Sequence, residues 1–180
     1  YELTNQADLI VSYVFEDFLG REFSEDIVIF GLGKYGSAEM NFDSDIDMVI
    51  LTMKGIGQEK LREISSRCEK FIKKLAEVEI EKLYQVDLRL RPEGRNAPMI
   101  VKFDYFENYL FKRAEFWELM AFTRFRYICG NKKLAEEALS LYYDRIANVK
   151  FTKSLVDSLV KIRKKMEEMA KGEIDIKVGA

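Results

Sequence analysis

Residues 27–52 read IVIFGLGKYGSAEMNFDSDIDMVILT. Ile27–Phe30 is a short apolar run rich in β-branched and aromatic residues, the pattern of a buried strand. A glycine-rich turn with one lysine follows, then Asp45 and Asp47 one residue apart, then a second apolar run from Met48 to Leu51. Residues two apart on a strand point to the same face. The two carboxylates therefore project together from the start of the second strand, close to the turn. Side by side they repel each other unless a cation sits between them. Hard oxygen ligands so arranged suit Mg²⁺ or Mn²⁺. A backbone cradle for phosphate beside a divalent-metal site is equipment for nucleotide phosphoryl chemistry.

Outward from this stretch the chain alternates its signals. Upstream, Leu3, Ala7, Ile10, Val11, Val14, Phe15 and Phe18 fall on one helical face over residues 3 to about 19. Thr4 or Asn5 suits its start, and Gly20 is expected to end it, with a polar link from Arg21 to Asp26. Downstream, Lys54–Gly57 is a turn. Gln58 to about Val78 is an amphipathic helix with Leu61, Ile64, Cys68, Phe71, Ile72, Leu75 and Val78 on one face. Leu83–Leu90 alternates as a third strand, closed by the turn Arg91-Pro92-Glu93-Gly94, and Met99–Val101 suits a short further strand. From Asp104, expected to cap a helix, the pattern is helical: through Leu110, then Ala114 to Ile128, Lys133 to about Val149, and Thr152 to about Lys171. The expectation is one α+β unit: a small mixed sheet with helices, its strands confined to 27–101, forming a core over 1–102. A helical segment follows over 103–180.

Bulk properties narrow the function classes. A chain of 180 residues, 48% hydrophobic and 33% charged, is one ordinary domain, or one with a small appendage. With 29 basic and 31 acidic residues its net charge is −2, so no overall field favours nucleic acid or an acidic membrane. No run approaches a transmembrane length and no signal peptide opens the chain. The isolated Cys68 and Cys129 read as reduced thiols of a cytoplasmic protein. There is no histidine, which excludes Ser-His-Asp and Cys-His catalysis and the usual zinc sites. The chain opens at Tyr1 without methionine and stops just after the alternating IDIKV, as a fragment of a longer protein would.

Gly31, Gly33 and Gly36 match G-x-G-x-x-G after a strand. A dinucleotide fold would need a crossover helix and an acid about 20 residues on, after the next strand. Here the acids precede that strand. A kinase loop would need a V-A-I-K-like lysine and later H-R-D and D-F-G motifs, and none is present. The plain alternative is a tight turn requiring positive φ. Lys34 and Ser37 favour a phosphate cradle. For Asp45 and Asp47 the alternative is surface acids at a strand entry, but strand, glycine turn, D-x-D and strand in that order are far more specific than any one part. Asp87 lies on the third predicted strand, on the same face as Arg89. It either pairs with Arg89 or Arg91, or completes a three-carboxylate site able to hold two Mg²⁺ ions. That catalytic reading requires the three carboxylates to converge within reach of a shared metal. Arg89, Arg91 and Arg95 suit phosphate oxygens or are solvated surface charge. Phe116, Trp117 and Phe122 read as helix core, and Lys161, Arg163, Lys164 and Lys165 as a solvated helix face.

The run GLGKYGSAEMNFDSDIDMVI resembles the signature of the polymerase β-like nucleotidyltransferases, and more closely that of the catalytic domains of the glutamine synthetase adenylyltransferase/deadenylylase family. That family's G-x-G-K-x-G then E-x-N-F-x-S-D-I-D is matched at Gly31, Gly33, Lys34, Gly36, Glu39, Asn41, Phe42, Ser44, Asp45, Ile46 and Asp47. Its V-D-x-R-L-R-P-x-G is matched from Val86 to Gly94, and its W-E-…-A-…-R-x-R at Trp117, Glu118, Ala121, Arg124 and Arg126. Tyr35 and Ser37 depart from it, where leucine and glycine are usual. The resemblance implies that Asp45, Asp47 and Asp87 hold Mg²⁺, with Mn²⁺ an alternative. It also implies that Gly33, Lys34, Gly36, Ser37 and Ser44 line the nucleotide phosphate site, with Arg89 and Arg91 beside it. It implies ATP, or ADP and phosphate, as substrates, and glutamine synthetase as the protein acted on. In the longer parent it implies a PII-type signal protein as partner, with neither membrane nor nucleic acid involved. One domain of that family adenylylates a tyrosine of the synthetase, and the other removes the AMP by phosphorolysis. The E-x-N-F-x-S-D-I-D wording is nearer the deadenylylating half and the A-F-T-R-F-R wording (residues 121–126) nearer the adenylylating half, with a slight lean to the former. The rivals are a non-catalytic nucleotide-binding regulatory domain and a nucleotidyltransferase acting on a small molecule or RNA.

Overall fold

The computed structural model describes residues 2–77, 85–94 and 97–170. Helix α1 (Glu2–Phe15) continues through a π-helical turn, Glu16–Gly20, into the short α2 (Arg21–Phe23). Strand β1 (Ile27–Gly31) leads into a single helical turn, α3 (Gly33–Gly36), and the chain returns as β2 (Ile46–Thr52). Helix α4 (Gln58–Glu77), β3 (Val86–Asp87), β4 (Ile100–Lys102) and α5 (Phe103–Lys112) follow. Then come α6 (Phe116–Ala121), a 3₁₀ turn (Phe122–Arg124), β5 (Arg126–Gly130), α7 (Lys132–Ala147) and α8 (Lys153–Ala170).

The five strands form one mixed sheet in the order β3-β2-β1-β5, with β4 also on β2. β1 runs antiparallel to β2 and β5, whereas β3 and β4 run parallel to β2. Every residue of β1 is buried, which explains its unbroken apolar run. Strand alternation sends Ile27, Ile29, Met48 and Ile50 to one face, against Val11 and Phe15 of α1 and Ile64, Cys68 and Phe71 of α4. Val28, Phe30, Val49 and Leu51 face the other way, against Phe106 and Leu110 of α5, Leu119 of α6 and Leu134 and Ala138 of α7. Each fully buried aliphatic or aromatic side chain contributes roughly 1.5–3 kcal/mol, so the central pair of strands anchors both layers. This is the layout of the polymerase β-like nucleotidyltransferase fold: a small mixed sheet with helices on both faces.

Several expectations are corrected. Residues 126–128 do not extend a helix. The helix over 114–128 breaks after Ala121, and Arg126–Gly130 pairs with β1 instead. The open edge of β1 takes the aromatic and β-branched stretch Tyr127-Ile128-Cys129, a tertiary demand that overrides helical periodicity. The sheet thus draws a strand from beyond residue 101, on the far side of the boundary expected at 102. Gly20 does not end α1. It has helical angles, φ −57° and ψ −50°, and a Cβ there would lie 2.1 Å from Glu16 Oε2. The link after it starts as the helical turn Arg21–Phe23, and Phe23 is buried. Asp104 lies in the first turn of α5 rather than capping it, since Lys102 is the cap residue. The third strand is shorter than its alternation suggested, Val86–Asp87, with Arg89 and Leu90 in a turn. Leu83 and Tyr84, also assigned to it, lie outside the described residues, as do Val78, Arg95 and the terminal IDIKV.

β3 and β4 are two pieces of one strand. Asp47 is partnered by Asp87, and Ile50 by Ile100. Two residues of β2 separate those pairs, against twelve between β3 and β4. The surplus leaves the sheet as a loop whose neck is closed by Arg91. Its guanidinium donates from Nη2 to the carbonyl of Ala97 (2.7 Å), from Nε to that of Pro98 (3.0 Å), and from Nη1 to that of Leu88.

A candidate nucleotide site at the start of the second strand

The candidate site forms where α3 meets the entry to β2. Gly33 begins the turn with φ +53°, a left-handed conformation open to glycine. A Cβ there would lie 2.2 Å from Asp47 Oδ2, so the backbone passes directly over that carboxylate. The N–H of Leu32 donates to the Asp47 carbonyl at 2.9 Å, tying turn and strand together. Ahead of the strand, Ser44 and Asn41 lock each other: Ser44 Oγ donates to Asn41 Oδ1 (2.6 Å) and accepts from the Asn41 N–H (2.9 Å). That lock buries Ser44 and leaves Phe42 exposed at the tip.

Two clefts share Asp45. One, of about 240 Å³, is lined by Gly33, Lys34, Asp43, Ser44, Asp45, Asp47 and Arg124. The other, of about 430 Å³, is lined by Asp45, Gln85, Val86, Asp87, Leu88, Arg89 and Arg91. Gly33, Lys34, Ser44, Asp45 and Asp47 thus share one wall system, with Asp87, Arg89 and Arg91 next door. Gly36 and Ser37 line neither cleft. A Cβ at Gly36 would fall 1.9 Å from the Arg124 carbonyl, so this glycine permits close packing behind the turn. Ser37 Oγ donates within the turn, to Glu39 Oε2 at 2.8 Å and to the Gly33 carbonyl at 3.2 Å.

Parallel pairing puts Asp47 and Asp87 on the same face of the sheet. Among the described residues, no three acidic or thiol side chains gather closely enough to hold a metal ion. Asp87 instead accepts from Arg89: Nε to Oδ2 at 2.6 Å, and the Arg89 backbone N–H to Oδ1 at 2.7 Å. Its side chain is only 12% exposed, while that of Arg89 is 55% exposed. The Asp87 bond and charge, then Asp45 and Asp47, raise the Arg89 pKa further above its already high value. Arg89 is thus ion-paired with Asp87 and lies within the field of Asp45 and Asp47. Donor chemistry and strand register suit a hard divalent cation. A cation held through Asp87 would compete with Arg89 for that carboxylate. Arg91 is drawn the other way: burial lowers its pKa, and its donors are spent on the loop neck.

Two cleft residues were not among the expected site residues. Asp43 sits between Phe42 and Ser44. Arg124 enters from the 3₁₀ turn and ion-pairs loosely with Glu39 at 3.9 Å. The R-x-R pattern was the available signal for Arg124, but a sequence does not say which arginine of the pair turns toward the cleft.

A polymerase β-like fold with an acid-lined cleft under a glycine turn defines the class. Within that class, residues 8–141 match the family described as glutamate-ammonia ligase adenylyltransferase, and the chain belongs to it. Curated relatives agree. The bifunctional glutamine synthetase adenylyltransferase/adenylyl-removing enzyme of Rhizobium meliloti is 33% identical over 96% of this chain and 18% of its own length. The enzymes of the same name from Bartonella henselae (30% identical, 88% of this chain, 18% of the relative) and Alteromonas mediterranea (32%, 78% and 15%) are similar. The chain thus spans less than a fifth of the length of these relatives.

Proposed function

We propose that this chain is an adenylyl-transfer domain acting on a tyrosine of glutamine synthetase in the cytoplasm. The observation that carries the reading is the in-register pair Asp47 and Asp87, beside Asp45 and beneath the Gly33 turn. Asp45, Asp47 and Asp87 would hold Mg²⁺ or Mn²⁺, which supplies positive charge to phosphoryl oxygens during in-line displacement. Lys34 and Arg124, on the walls of the smaller cleft, bind phosphate oxygens, and Ser44 shapes the approach. Arg89 transfers its charge from Asp87 to the phosphates as substrate enters. In one direction the tyrosine oxygen attacks the α-phosphorus of ATP and pyrophosphate leaves. In the other, phosphate attacks the phosphorus of adenylyl-tyrosine, the tyrosine leaves and ADP forms. The E-x-N-F-x-S-D-I-D wording favours the second direction. In a longer parent, a PII-type signal protein would set the balance.

A second reading has its own support. The Asp87–Arg89 pairing, with no three acids gathered among the described residues, suits a domain that binds nucleotide without turning it over. One experiment separates the two. The chain and Mg²⁺ are mixed with unmodified synthetase and ATP, and in parallel with adenylylated synthetase and phosphate, and the synthetase mass is followed. Gain of one AMP unit in the first tube marks adenylylation. Loss with ADP release in the second marks phosphorolysis. No change in either, with ATP bound, leaves the binding module.

A further inference from the structure

The two arginines of the R-x-R pattern have different places. Phe125 between them is buried and stacks on Phe30 of β1, with ring centroids 3.8 Å apart, and meets Phe122 edge-on at 5.5 Å. That anchor fixes the chain on either side of it. Arg124 reaches the cleft. Arg126, the first residue of β5, pairs with Gly31 and turns its side chain beneath α3.

There Arg126 uses all three of its nitrogens. Nε donates to the Gly36 carbonyl at 3.0 Å and Nη2 to the Tyr35 carbonyl at 2.9 Å. Nη1 and Nη2 donate to the two oxygens of Asp8 on α1, at 2.8 and 3.1 Å. The guanidinium carbon lies 5.4 Å from the centre of the buried Tyr35 ring. The carbonyls it holds are the last of the α3 turn, whose front carries Gly33 and Lys34. A four-residue turn is only marginally stable on its own internal bonds. Here it is also held from behind, by a planar fork that matches two carbonyls and a carboxylate together.

We propose that Arg126 is a positioning residue for the nucleotide-binding turn, with Asp8 as its orienting partner. It sets the height of Gly33 and Lys34 over Asp47 without touching the ligand itself. The role rests on the nucleotide reading above, and two measurements keep them apart. The first is amide exchange in ligand-free protein. Arg126→Gln should accelerate exchange at Gly36 and Ser37, whose N–H groups bond to the Leu32 and Gly33 carbonyls, while the β2 amides keep their wild-type rates. The second is titration with ATP and Mg²⁺. Arg126→Gln should weaken binding at least about tenfold, since a misplaced first contact forfeits much of the orientation gain. Arg126→Lys keeps the charge but loses the fork and should fall between. Asp8→Asn in the Arg126→Gln background should add nothing. Unchanged exchange at Gly36 and Ser37 overturns the proposal, as does wild-type ATP affinity in a folded Arg126→Gln variant. Wild-type protein that binds no ATP instead overturns the nucleotide reading, and with it the functional half of this one.

Discussion

Asp47 and Asp87 are direct partners in the parallel pairing of β2 and β3, so two acids from distant parts of the chain share one face of the sheet. If they act as a unit with Asp45, each is indispensable. Asp45→Asn, Asp47→Asn and Asp87→Asn should each lower adenylyl transfer by at least about a hundredfold, with far-ultraviolet circular dichroism unchanged. Activity retained in any of the three would remove that carboxylate from the proposed site.

Arg89 now neutralises the acid that a metal would use. Arg89→Ala should tighten Mn²⁺ binding in the absence of nucleotide and weaken ATP binding, both by several-fold. Electron paramagnetic resonance of free Mn²⁺ reads the first effect directly. Weaker Mn²⁺ binding in this variant would contradict the competition between guanidinium and cation.

The glycines of the turn carry different penalties. Gly33→Ala meets both a left-handed φ and the Asp47 carboxylate. It should lower stability by about 1–3 kcal/mol and abolish nucleotide binding. Gly36→Ala collides with the backbone carbonyl of Arg124, which cannot swing aside, and should be the more damaging of the two. Urea denaturation of both variants decides the order.

Arg91 serves the loop neck, so its loss should show as local opening. Arg91→Lys cannot span three carbonyls. It should cost about 2 kcal/mol and speed amide exchange at Gly94 and Ala97, whose N–H groups bond within the loop. The β1–β2 ladder should exchange at its wild-type rate.

The buried thiols give a pH dependence. Burial pushes Cys68 and Cys129 up to about 12 from an ordinary 9.0, with Asp8 adding to the effect at Cys129. Burial also raises the tyrosines Tyr35 and Tyr109. A folded state that holds these protons more tightly keeps their full contribution below about pH 9 and loses it as pH climbs toward 12. The denaturation midpoint should fall across that window, and Cys68→Ala/Cys129→Ala should flatten the fall. At pH 8 the native thiols should resist alkylation until the chain is unfolded.

Much of the centre was legible because its signals are local. A glycine turn, a D-x-D and two apolar runs are set by neighbours in sequence, and β1, α3 and β2 appear where those signals stand. The same holds for α4, whose apolar face is spaced for one side of a helix. The misreadings share another cause: each was decided by a distant segment. Tyr127 and Ile128 close a stretch that reads as helix, but the edge of β1 claims them together with Cys129. The carbonyls of Ala97 and Pro98, which Arg91 holds, likewise come to it from across a loop that no local pattern announces. Arg126 resembles Arg124 in sequence, and only α1 gives it Asp8. The pairing of Asp87 with Arg89 was visible as an alternative, because both lie on one short stretch. That the two side chains actually meet depends on side-chain settings that no spacing encodes.

The interrupted strand beside β2 also bears on how such a domain tolerates change in length. The loop leaves and rejoins the same edge, and registry on either side is held separately by Asp47–Asp87 and Ile50–Ile100. Insertions or deletions between Asp87 and Ile100 would leave both pairings in step. A single inserted residue within β2 would swap every following side chain between the two cores. The neck at Arg91 is thus the place where the edge of the acidic cleft can be redrawn without disturbing its floor.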